Sequence, residues 1–92
     1  MAADVIEVVL GEFVLRLDGT VVEVLHQTGL SQRFHVTHVA VEAKPARDGG
    51  LKLVIGVDVG GVVLNGSRVA VPADRVAEVT ALFDVAKARR GT

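Results

Sequence analysis

Apolar and polar residues alternate with a period of two from Val5 to about Val71, and from Pro72 to Arg90 the period changes once, to 3.6. A strand exposes its residues to opposite faces in turn, whereas a helix returns to one face every three or four residues. The switch therefore predicts strands over about 5–71 and a single amphipathic helix over about 72–90. The expected fold class is mainly β (α+β), a small barrel or sandwich capped by its C-terminal helix.

Phe13 to Leu25 is the strongest segment, with Asp18-Gly19 as the expected type I′ turn of a hairpin. That loop sets Leu17 opposite Thr20, Leu15 opposite Val22 and Phe13 opposite Val24. Phe13, Leu15, Leu17, Val22 and Val24 then share an apolar face, and Arg16 and Glu23 become diagonal neighbours of opposite charge on the other. Gln27 to Gln32 lacks a period and is expected to be a connection. In Arg33 to Lys44 the apolar residues change parity: Phe34 and Val36 are even, Val39, Val41 and Ala43 odd. A bulge or corner at Thr37-His38 is expected to absorb the slip.

Pro45 to Gly50 is a turn by composition, and Leu51, Leu53, Ile55, Val57 and Val59 form the clearest half-buried strand. Gly60-Gly61 breaks that strand, Val62 to Leu64 starts another, and Asn65-Gly66 is expected to turn the chain into Arg68 to Val71. The count is about seven antiparallel strands. In the helix, Val76, Val79, Leu82, Phe83 and Ala86 make one stripe, with Phe83 as its expected anchor. Pro72 stands at the start and Gly91 past the end.

Composition narrows the picture. Ninety-two residues make one domain, 1–92, of which 1–4 are expected to be flexible. Half the residues are apolar, with three Phe and no Trp or Tyr, which is the make-up of a branched-aliphatic β interior. So apolar a chain of this size is expected to cover some strand face with a partner or a second copy. Without Cys there is neither a disulfide nor a thiolate chemistry to consider. A net charge of −1 with interspersed signs, and no aromatic platform, argue against nucleic acid. Met1-Ala2-Ala3-Asp4 has no basic stretch, and Val5 to Leu10 is short and interrupted by Glu7, so a cytoplasmic location is expected. Lys87, Arg89 and Arg90 are expected to complement the helix dipole.

The order of these elements, with Leu30-Ser31-Gln32-Arg33-Phe34-His35-Val36-Thr37-His38-Val39-Ala40-Val41-Glu42 leading through a polar corner into a Gly turn and a long alternating strand, resembles small bacterial pleckstrin-homology-like domains. The resemblance runs from about Glu12 to Arg90. It implies a binding scaffold rather than an enzyme, and it transfers no catalytic residue. Phosphoinositide binding in that family uses a basic loop between the first strands. Here the corresponding loops, Gly11-Glu12 and Asp18-Gly19, are short and acidic, so lipid-headgroup recognition is disfavoured.

No nucleophile elbow or phosphate-binding loop is recognisable, and no cofactor, metal or small-molecule substrate is called for. The expected function is a non-catalytic protein-interaction or self-assembly module, with Arg33, His35 and Thr37 as the partner-binding surface. The alternative is a small metal- or ligand-binding protein using His26, His35 and His38. Residues 35 and 38 differ by an odd number, so only a bulge between them could bring their side chains to one face.

Overall fold

The computed structural model describes residues 5–90, with the side chain of Asn65 excepted. Residues 1–4, expected to be flexible, and Gly91, expected past the helix end, lie outside the described residues. The fold is mainly β. One antiparallel sheet contains β1 (Val5–Leu10), β2 (Phe13–Asp18), β3 (Val21–His26) and β4 (Ser31–His35); the second contains β5 (Val39–Pro45), β6 (Leu51–Val59) and β7 (Val62–Val71). A 3₁₀ turn (Ala73–Arg75) leads into the helix α1 (Val76–Arg89).

The β2–β3 hairpin turns on Gly19-Thr20 rather than Asp18-Gly19. Gly19, at φ +60°, occupies the first turn position, and Asp18 pairs with Val21. The facing pairs are thus Leu17 with Val22 and Leu15 with Val24. Moving the turn by one residue changes the register by two, an even number, so the apolar face survives: Leu15, Leu17, Val22 and Val24 are all buried. Arg16 and Glu23 become directly opposed rather than diagonal.

The parity change at Thr37-His38 is a corner that carries the chain from the first sheet to the second. His38 N–H donates to the His35 carbonyl at 2.9 Å, and the bend turns both Val36 and Val39 inward. The Asn65-Gly66 turn does not form. Gly60-Gly61 supplies the hairpin instead, and β7 runs through Asn65 and Gly66 with a bulge, since Ile55 pairs with Ser67 but Val57 with Leu64. The bulge divides the pairing of β7 into 62–64 and 67–71, which gives eight paired segments against the seven expected.

Nor do the sheets close into a barrel. Closure needs an unbroken ladder around the whole circuit. Here the corner's backbone bonds to itself through His35 and His38 and to each sheet separately, Val36 N–H donating to the Thr20 carbonyl and Asp58 N–H to the His38 carbonyl, while a side-chain bond from Ser67 Oγ to Gln32 Oε1 links β7 to β4. No strand of one sheet pairs with a strand of the other among the described residues.

A single core lies between the sheets and under α1, drawing Leu17 and Val22 from the first sheet, Leu53, Ile55 and Val69 from the second and Val79, Leu82 and Ala86 from the helix. The anchor of the helix is Leu82, which is fully buried, rather than Phe83, which is half-buried at the rim. Pro72 stays extended at ψ 153° and delays the helix to Val76. The cationic end of α1 does more than complement a dipole: Arg89 donates to the Gly19 carbonyl in the first sheet, and Arg90 to the Val39 carbonyl in the second at 3.4 Å.

Candidate functional site: the outer face of the first sheet

Alternate residues of β1 to β4 point away from the core, and the register places those of one level side by side. Glu7 pairs with Arg16, Arg16 with Glu23, and Glu23 with Arg33, so one row of alternating sign crosses all four strands. Arg33 Nε lies 3.4 Å from Glu23 Oε2; Arg16 lies 3.8 Å from both Glu23 and Asp18. Those last distances are too long for hydrogen bonds, and Arg16 Nε, buried beneath the row, has no hydrogen-bond partner.

Aliphatic side chains flank this row. Val9, Val14 and Leu25 lie in register on one side, Val5 and Val21 on the other. Val9 is 53% exposed and Val5 44%, while Val14, Val21 and Leu25 are half-buried. A strand face turned to water ordinarily carries polar residues, so this face combines charge order with accessible apolar area. Sequence reasoning paired Arg16 with Glu23 and singled out Arg33 separately, without joining them into one row. The alternating signs were visible in the letters, but joining them needed the pairings of β1 and β4, which no turn signature specified.

The residues expected to bind a partner sit on the same face or at its end. Arg33 and His35 project from β4, and Thr37 follows in the corner; all three are exposed. Thr37 donates to His35 Nδ1 from its hydroxyl at 2.8 Å and from its backbone N–H at 3.2 Å. His26 repeats this arrangement with Thr28 at the same distances, and its Nε2 lies 3.3 Å from Glu12 Oε2 while its ring packs edge-on against Phe13 at 4.6 Å.

The three histidines do not converge. The corner brings the rings of His35 and His38 to 6.2 Å, but His26 pairs with Phe13, at the opposite end of β3 from Val21 and its neighbour His35. Nδ1 of both His26 and His35 is already accepting hydrogen bonds, and no group of three or more possible ligands forms among the described residues. Calorimetric titration with zinc is expected to give no saturable heat. A saturable isotherm abolished by His35→Ala would instead establish a metal site at the corner.

Comparison with protein-family models, curated proteins and solved structures finds no match. No helix among the described residues is long and apolar enough to cross a membrane.

Proposed function

We propose that this protein is a non-catalytic interaction or self-assembly module on a pleckstrin-homology-like scaffold, working through the outer face of its four-stranded sheet. The observation that carries this reading is the exposure of Val5 and Val9 beside the ordered charge row on that face. Contact surfaces of this kind gain affinity from covered apolar area and selectivity from the placement of charge. Element order, the corner between sheets and the terminal helix support the scaffold assignment.

The test replaces Arg33, His35 and Thr37 together by Ala. All three are exposed, so the variant is expected to melt within a few degrees of the parent, since surface substitutions typically change stability by about 0.5 kcal/mol or less. In pull-downs it is expected to lose partners that the parent retains. Recovery of every partner by the variant would remove these residues from the contact surface.

A further inference from the structure

The charge row across the first sheet is complementary to itself. From β1 to β4 its signs run minus, plus, minus, plus, through Glu7, Arg16, Glu23 and Arg33. A two-fold axis lying in an interface and parallel to the strands, midway between β2 and β3, reverses this order in a second copy. Glu7 then meets the second copy's Arg33, and Arg16 meets the second copy's Glu23. Symmetry repeats both contacts, so every member of the row faces its opposite. An in-plane axis perpendicular to the strands would instead set Glu7 against Glu7 and Arg16 against Arg16. The same parallel axis brings Val14 opposite Leu25, apolar against apolar, in the neighbouring row.

We infer that the occupant of this face is a second copy of the chain, docked sheet to sheet about a two-fold axis parallel to the strands. The inference rests on the interaction-module reading and gives it a partner and a register. Arg16, with both carboxylates at 3.8 Å, gains a third in the second copy's Glu23. Sheets packed face to face keep their strands within about 30° of each other, which this axis permits. Four strands about 4.8 Å apart and six residues long make a footprint of roughly 400 Å² per copy. That places the dimer among weak, transient interfaces, in exchange with monomer.

The decisive experiment is a charge swap at the two ends of the row. Both positions are exposed, with the Arg33 side chain 69% accessible, so substitution leaves the core untouched. Sedimentation equilibrium with interference optics, needed because Trp and Tyr are absent, is expected to show reversible dimerisation of the parent. Glu7→Lys and Arg33→Glu each place like charges together twice per dimer. Each alone is expected to weaken dimerisation by about tenfold or more. An equimolar mixture of the two restores opposite charges at every contact and is expected to recover the parent's affinity.

If the parent dimerises and both variants match it, this face is excluded while self-assembly stands. Variants that weaken dimerisation without recovery on mixing overturn the two-fold register. A parent that stays monomeric at the highest attainable concentration overturns both the dimer and the self-assembly reading, leaving a different protein as occupant. Salt dependence of the unmodified protein supplies a measurement independent of variant folding. Dimerisation must weaken as ionic strength rises, and an unchanged constant would contradict an interface ordered by charge.

Discussion

Replacing Leu82 by Ala lowers the unfolding free energy by about 2–5 kcal/mol, the range for truncating a fully buried leucine. Leu82 has no measurable exposure and belongs to the one core shared by both sheets and α1. A domain of this length has a total stability of about 5–14 kcal/mol, so the loss is a large share of what keeps it folded. The melting temperature should fall by roughly 4–8 °C for each kcal/mol, followed by far-ultraviolet circular dichroism. Phe83→Ala is the internal comparison. Its ring is half-buried at the rim and is expected to cost less than Leu82 despite its larger volume. The opposite order would mean that the helix docks through a different face.

Gly56→Ala is expected to destabilise the protein by at least about 1–3 kcal/mol, the range for overpacking a tight site. A Cβ at Gly56 would stand 2.4 Å from the Leu64 carbonyl oxygen, 2.8 Å from Val63 Cγ1 and 3.0 Å from the Gly66 Cα. Two of these neighbours are backbone, so no rotamer change relieves the contact. The bulge places two residues of β7, Asn65 and Gly66, against Gly56, and the strands approach closely because glycine is present on both sides. The denaturation midpoint reports the effect. A variant as stable as the parent would show that β7 can move away from β6 without loss.

These two sites also mark where the fold was legible in the letters. Periodicity identified the faces of β2 and β3 correctly even though the turn was misplaced by one residue, because burial follows parity and parity survives an even shift in register. The corner was legible for the same reason: Phe34 and Val39 could not both face inward along an uninterrupted strand. Asn65-Gly66 misled because its preference for a turn is local, whereas Gly60-Gly61 closes the hairpin five residues earlier with both φ angles positive and lets β7 continue. The helical stripe held Leu82 and Phe83 equally well. Periodicity assigns residues to a stripe but does not say which one reaches deepest between two sheets.

The candidate site was less accessible to sequence reasoning. Arg33, His35 and Thr37 were identified as exposed strand and corner residues, but the row containing Arg33 exists only through pairings from Val5 to His35. The roles of Arg89 and Arg90 were hidden likewise. Each ends on a backbone carbonyl distant in sequence, and a carbonyl leaves no trace in the identity of its residue.

The strand order within each sheet is the order along the chain. Every ladder can therefore grow from its neighbour by closing a short loop, without holding distant segments together in advance. That places the protein toward the fast side for a β-rich domain, where rates fall as contacts become more distant in sequence. The two locally ordered halves are joined by the core they share and by α1, which reaches both through Leu82 and its C-terminal arginines, so cooperativity between the halves rests on contacts distant in sequence.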